Sequence, residues 1–350
     1  MHPTLHKQRG FTMAELMVAV GIGLVILAAM TSLFVNNSRT QSEIEKSNRQ
    51  IENGRYAIQV TSGDLRNAGF FGEYDPSDLT LPAALPDICS TVLATVESGI
   101  NLHVQGINDV ATATAPSCLT DIKTGTDTIV VRRAATCVAG DDDCDPASAG
   151  GPYFQASLCD SATQLGSGTG TDHYDLAIAT ASLGRLARNC TAAASIRRYV
   201  QNVYFIANNN NSGDGIPTLK RLEISSDGTA ISHSVMPLVE GVENLQLEYG
   251  LDTSNPTDGV ADVFTNDPGP HTCAAACTAP ENWHKVVSVR VNLLARNLEK
   301  SSGYSESKTF VLGNLTDGTE NTVTAGSDGY KRHVFQTLVG LSNPAGRKMP

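Results

Sequence analysis

Glu15 stands alone: a carboxylate one residue ahead of Leu16 to Val35 (LMVAVGIGLVILAAMTSLFV), a run without a single charge. At about 1.5 Å per helical residue that run spans roughly 30 Å, the thickness of a bilayer core. An acid buried in lipid costs about 2.5–3.5 kcal/mol at the centre and less near the interface, so Glu15 needs a reason. Left to itself it would snorkel to the headgroups, or sit at the helix start where the dipole favours negative charge. Its surroundings suggest a more specific chemistry. Five residues upstream lies the junction Gly10-Phe11, and before that Lys7 and Arg9 are the only full charges. Both are positive, which keeps that end on the cytoplasmic side.

Other groupings have the residue types of chemistry and weaker patterns. His271, Cys273, Cys277 and His284 follow H-x-C-x3-C-x6-H, a zinc-like set. In an oxidising compartment a tight disulfide between Cys273 and Cys277 with two surface histidines is the stronger reading. Glycines 166, 168 and 170 lack the Lys-Ser or Lys-Thr of a phosphate loop and read as a flexible connection. Asp252, Asn255, Asp258, Gly259 and Asp262 gather oxygen ligands as calcium loops do. Taking Gly259 as the turn glycine puts Ser254 and Pro256 at ligand positions, and no Glu closes the loop, so an ordinary polar turn is favoured. Asp141, Asp142 and Asp143 form an acidic tip between Cys137 and Cys144. No Ser/His/Asp or Cys/His set can be recognised from spacing. The chain therefore reads as a non-enzyme with no cofactor and no metal, Asp252, Asp258 and Asp262 being the weak exceptions.

The elements that would position Glu15 are legible. A secretory signal puts its apolar stretch before the cut; here the junction precedes the stretch, so the membrane helix survives processing. The helix continues past the membrane, since no proline appears after Pro3 until Pro76. Ile44, Ile51, Ile58 and Leu65 recur every seven positions, and the residues three later, Ser47, Gly54, Thr61 and Ala68, are all small. So thin a stripe suits packing against a globular domain better than a homodimeric coiled coil. Gly21 and Gly23 are weak points that suit close helix packing. Beyond Phe71, strands are expected at 128–133, 176–180, 196–207, 219–225, 242–249, 285–294, 309–312 and 333–338. Val287, Val289, Val291 and Leu293 alternate as in a strand buried on one side.

The junction, the acid and the apolar run closely resemble the class III signal of type IV prepilins, whose pattern is G, F, T, two variable residues, E. The stretches Gln50 to Ala57 (QIENGRYA), Asp64 to Phe70 (DLRNAGF), Leu238 to Gly250 (LVEGVENLQLEYG), Val286 to Val291 and Arg332 to Phe335 resemble the PilW family of minor pilins. The likeness touches both ends and leaves roughly residues 75–195 unmatched. It implies that a prepilin peptidase cuts after Gly10 and methylates the new amine on Phe11. It also implies that Glu15 pairs with the amine of a neighbouring subunit. One pair lowers the cost of both charges in lipid and fixes an axial step.

The resemblance implies an α+β fold, a long N-terminal membrane-spanning pilin helix packed on a largely β head with disulfide-rich loops. The expected divisions are a leader at 1–10, the pilin helix at 11–70 with its span at 16–35, and a periplasmic head at 71–350. The head could divide into two lobes near 193–198. Implied partners are prepilin peptidase, the inner membrane, other minor pilins, the major pilin and a large tip adhesin. The place would be the inner membrane as a single pass, then the pilus fibre at its tip.

Composition fits an exported head. The net charge of −11 grows more negative once Lys7 and Arg9 leave. That argues against nucleic acid and anionic lipid. All 8 cysteines lie beyond the helix, which reads as disulfides in an oxidising periplasm. Eight cysteines allow about a hundred pairings. The simplest joins sequence neighbours, Cys89 with Cys118, Cys137 with Cys144, Cys159 with Cys190 and Cys273 with Cys277. The rival readings are a type II secretion pseudopilin and a membrane-anchored periplasmic adhesin or binding protein acting singly.

Overall fold

The computed structural model describes residues 10–142, 144, 150–165, 173–272 and 277–349. Contacts divide the chain into two units, Met1–Arg49 and Gln50–Pro350. Helix α1 is Met13–Arg66. Thr12 caps its start: the Thr12 hydroxyl accepts from Glu15 N at 3.3 Å, and Thr12 N and Oγ1 each donate to Glu15 Oε2 at 2.9 Å. This is a capping box, satisfying donors that the first helical turn leaves orphaned. In the first unit every residue from Leu16 to Val35 is exposed. Among the described residues this is the one helix long and apolar enough to cross a membrane.

The second unit holds the end of α1, from Gln50, and everything after it. In order come α2 (Leu93–Glu97), β1 (Val104–Ile107), β2 (Thr128–Ala134), β3 (Tyr153–Ala156), α3 (Ala162–Leu165), β4 (Tyr174–Ala177), β5 (Ile196–Ala207), β6 (Thr218–Ser226), β7 (Ile231–Glu240) and β8 (Val242–Leu251). Then follow β9 (Val263–Thr265), α4 (Ala279–His284), β10 (Val286–Arg296), β11 (Thr309–Asn314), β12 (Glu320–Thr324), β13 (Arg332–Gly340) and α5 (Ser342–Lys348). Among the described residues every strand pair is antiparallel, as expected of a meandering chain with tight turns. One sheet has seven strands, ordered β1-β2-β5-β3-β4, with β6 also paired to β5 and β7 to β6. A second has four, β13-β10-β8-β9, and β11 and β12 form a ribbon.

The largest core joins Ala57, Leu65 and Ala68 to residues of both sheets, among them Val131, Tyr204, Leu247, Tyr249 and Val291. The helix turns its small and polar residues inward, since Gln50, Gly54, Ala57, Thr61, Ser62, Asp64 and Leu65 are buried. The isoleucine stripe therefore does not face the core as a row: Leu65 is buried, Ile51 and Ile58 are half-buried, and Ile44 is exposed. Small residues win because sheet side chains fill the space. A Cβ at Gly54 would run into the Phe335 ring of β13. Gly69, at φ +72°, ends the helix, a conformation that favours glycine, and its N–H bonds Arg132 O at 2.9 Å.

Two expectations need correction. Residues 193–198 do not separate lobes, because Ile196 opens β5, the strand that pairs with β2, β3 and β6. Nor is β10 buried on one side only: Ser288, Asn292 and Leu294 are buried as well as Val289, Val291 and Leu293. The β11 ribbon lies against its other face, where Asn314 N donates to Glu248 Oε1 at 2.9 Å.

Disulfides join Cys89 to Cys118, Cys137 to Cys144 and Cys159 to Cys190. Cys277 is disulfide-bonded as well, while Cys273 lies outside the described residues. Cys89 and Cys118 pack on a separate cluster of Ile88, Leu119, Val130, Val203, Phe205 and Leu222.

Candidate functional site

The N-terminal segment presents its groups openly. A Cβ at Gly10 would meet no heavy atom within 4 Å, so nothing in the fold demands glycine there. Any such demand must come from outside, as from an enzyme that reads the junction. Phe11 is 91% exposed, so its backbone nitrogen would be an accessible amine once the bond before it is cut. Glu15 holds its carboxylate against Thr12 rather than leaving it bare. Its carboxylate is exposed and already holds two donors from Thr12.

The second unit grips its helix through polar bonds that sequence reading did not assign. Asp64, its side chain 6% exposed, is the centre. Its Oδ1 takes Arg133 Nε at 2.7 Å, and its Oδ2 takes Asn202 Nδ2 at 2.7 Å and Tyr204 OH at 2.9 Å. Burial first, then the Asp64 charge, push the Tyr204 hydroxyl well above the usual phenol range. Gln50 donates to Ala295 O at 2.8 Å and Lys331 O at 3.0 Å, and Asn53 donates to Glu240 O at 3.0 Å. The motifs QIENGRYA and DLRNAGF thus carry helix-to-sheet clamps. The available signal was a polar residue in a helix that must bury one face, since Asn and Gln there need partners.

The remaining candidates are not assembled as sites. Cys277 is disulfide-bonded and so offers no thiolate to the zinc-like set, while His284 Nδ1–H donates to Asn101 O at 3.1 Å. Asp252 accepts from the backbone of Ser254, Asp258 and Gly259, and Asp262 from Thr253 and Ser254. Asp258 accepts from Val260 N, which makes the whole stretch a self-bonded loop. Asp141 and Asp142 are exposed; Asp143 and glycines 166, 168 and 170 lie outside the described residues. Among the described residues no three His, Cys, Asp or Glu side chains converge as metal ligands.

One cavity went unread in the sequence. About 490 Å³ in volume, it is lined by the residues just after α1, by α4 and by α5, with His103 and His284 in its wall. The two rings lie 6.4 Å apart, and His103 Nε2–H donates to Val286 O at 2.6 Å. Burial holds both imidazoles below the ordinary histidine range, and Lys348 adds to this for both. Lys285, Arg347, Asp75, Asp78 and Glu281 complete the charged lining. A histidine kept neutral in the fold takes its proton more readily when unfolded, so its stabilising effect is full above about pH 6.5 and falls as pH drops below that. Asp127, its carboxyl pushed up to about 8 by burial, has the opposite slope. The informative quantity is therefore a difference. His103→Asn should flatten the loss of melting temperature between pH 7 and 5 relative to the wild type, and an equal slope in both would refute the assignment.

Comparison with known proteins adds two family matches. Residues 203–343 match the Type IV Pilus-assembly protein W family, and residues 5–31 match the prokaryotic N-terminal methylation motif. The first covers β6 to β13 and the C-terminal part of β5; the second covers Gly10, Phe11 and Glu15. No curated protein matches the chain. Among solved structures it is similar to a type IV-like pilin from Thermus thermophilus, at 13% identity over 84% of this chain and 96% of that one, with a TM-score of 0.37.

Proposed function

We propose that this chain, a PilW-like type IV pilin, is a minor pilin that primes a type IV pilus or sits at its tip. The observation that carries the reading is the order of the N-terminal segment: basic leader, Gly10-Phe11, Glu15, then an uncharged helix, joined to a head that matches the pilus-assembly family. The methylation motif implies processing by prepilin peptidase, and its pilus partners follow from the family.

In this account the leader is residues 1–10, the span is 16–35, and the head is periplasmic from about residue 71. The chain waits in the inner membrane with Glu15 bonded to its own Thr12. Cleavage after Gly10 frees the Phe11 amine, which is methylated. On entry to the fibre, Glu15 takes the amine of a neighbouring subunit and α1 is buried among other helices. A charge pair in lipid is far less costly than two separate ions, so this contact sets the axial position of each subunit. The head, held together by disulfides, meets other minor pilins, the major pilin and a large adhesin at the tip. It is a structural subunit rather than an enzyme.

Glu15→Ala separates anchoring from assembly. The variant should insert and be cleaved normally, because the helix becomes more apolar. It should be scarce in sheared pili, because the Phe11 amine of its neighbour loses its partner. Wild-type amounts of the variant in the sheared fraction would contradict the mechanism.

A further inference from the structure

The cavity lined by α4, α5 and the residues after α1 holds about 490 Å³, within the range of roughly 300–1,000 Å³ in which folded proteins bind small ligands. Its polar groups share one character. Asn101, 4% exposed, commits its amide hydrogens: Nδ2 donates to Leu79 O and to Thr80 O, each at 3.0 Å. That fixes which way the amide points, and among the described residues nothing donates to its Oδ1. His103 Nε2–H and His284 Nδ1–H are both bonded to backbone carbonyls, which can only accept. With burial keeping both rings neutral, His103 Nδ1 and His284 Nε2 remain as lone pairs. The wall thus brings together three acceptors, and acceptors taken from water call for donors.

The surrounding charges select which donor. Arg347 and Lys348 of α5 line the same cavity, and both oppose a proton on His103. A metal ion or an ammonium group would meet the same repulsion. The acids offset it little: Asp75 is paired with Arg347 at 3.1 Å, Glu281 accepts from Thr278 in the cap of α4, and Asp78 is exposed. A phosphate or carboxylate anion brings no hydrogen for three acceptors. Neutral hydroxyls satisfy both conditions, since they donate to the acceptors while their oxygens accept from a cation. Leu81 and Ile100 in the lining suit the C–H face of a ring. We propose that this cavity binds a neutral saccharide of one or two rings, its hydroxyls donating to Asn101, His103 and His284 and accepting from Lys348. The site goes beyond the minor-pilin reading, because it would hold a sugar whether or not the chain stands in a fibre.

The test uses the full chain, purified in a detergent that has no sugar headgroup. Calorimetric titration with glucose, galactose, N-acetylglucosamine, maltose and lactose is set beside zinc, glycine and phosphate as the rival chemistries. At least one saccharide should saturate at one molecule per chain, and the three rivals should give no saturable heat. Thr257 is exposed on the cavity lining, so Thr257→Trp fills the space from the solvent side. That variant should melt as the wild type does and lose saccharide binding. His284→Phe removes one acceptor and should weaken binding about tenfold, the effect of roughly 1.4 kcal/mol at one hydrogen bond. If His284→Phe melts early, the comparison of Thr257→Trp with the wild type still decides. No saturable heat with any of the five saccharides, undiminished binding in Thr257→Trp, or saturation by zinc, glycine or phosphate instead would each overturn the site. Since the titration is done outside the fibre, such a failure would leave the minor-pilin reading standing.

Discussion

Asp64→Ala should lower the unfolding free energy of the chain by about 3–5 kcal/mol, the cost of removing one partner from a buried ion pair. Three donors would be stranded: Arg133, Asn202 and Tyr204, the last two 4% and 0% exposed. Arg133 keeps 19% of its side chain in water, which draws the expectation toward the lower figure. The effect is large because α1 offers the sheets few fully buried apolar side chains. Its buried apolar residues, Ala57 and Leu65, are too few to fix the register of a helix against two sheets. A domain is stable by about 5–15 kcal/mol in total, so this change should leave the head sensitive to protease. Asp64→Asn keeps the shape and some of the hydrogen bonding, and should fall between the variant and the wild type. Urea unfolding followed by tryptophan fluorescence reads it directly, since Trp283 lies in the same core. A loss under about 1 kcal/mol for Asp64→Ala would show that water or a shifted Arg133 replaces the clamp.

Removing the cross-links should have the next largest effect. Cys89–Cys118 and Cys159–Cys190 close loops with separations of 29 and 31, against 7 for Cys137–Cys144. Each native disulfide is worth about 2–4 kcal/mol, and in the loop-entropy account the two long ones exceed the short one by about 1 kcal/mol. The Cys89–Cys118 pair holds its loop over Val130, Val203 and Phe205. Replacing both of its cysteines with Ser should therefore expose that face and lower the melting temperature more than the same change at Cys137 and Cys144. Chain made in a reducing cytoplasm should be cut readily by protease, while exported chain should show no alkylatable thiols. Equal melting temperatures for the reduced and oxidised forms would sink this account.

The sequence carries the N-terminal helix clearly, because a long uncharged run followed by a proline-free polar stretch has few alternatives. Strands with dense apolar residues are legible too: β5 is expected at 196–207 and found at Ile196–Ala207. β7 is not legible in the sequence. Its mixed Ser, His, Met and Pro show no alternation, and an edge strand has no second neighbour to demand one. β3 and β9, with 4 and 3 residues, are too short to form a pattern. The stripe of Ile44, Ile51, Ile58 and Leu65 misleads because hydrophobicity alone does not say which face is covered. Where sheets bring large side chains such as Phe335, the helix must offer Gly54. The Asp64 clamp and the His103–His284 cavity join residues far apart in the chain, and only the fold brings them together. At the N-terminus the pattern is local, so the resemblance to the class III prepilin signal could single out Gly10, Phe11 and Glu15.

The mass of the N-terminal peptide in chain recovered from sheared pili tests the central claim most directly. The account predicts a peptide beginning at N-methylated Phe11 in the wild type. It also predicts that Gly10→Val retains the leader and stays in the membrane fraction, because the peptidase site has no room for a side chain. A wild-type chain in pili that still carries residues 1–10, or a Gly10→Val chain cut and methylated as usual, would contradict it.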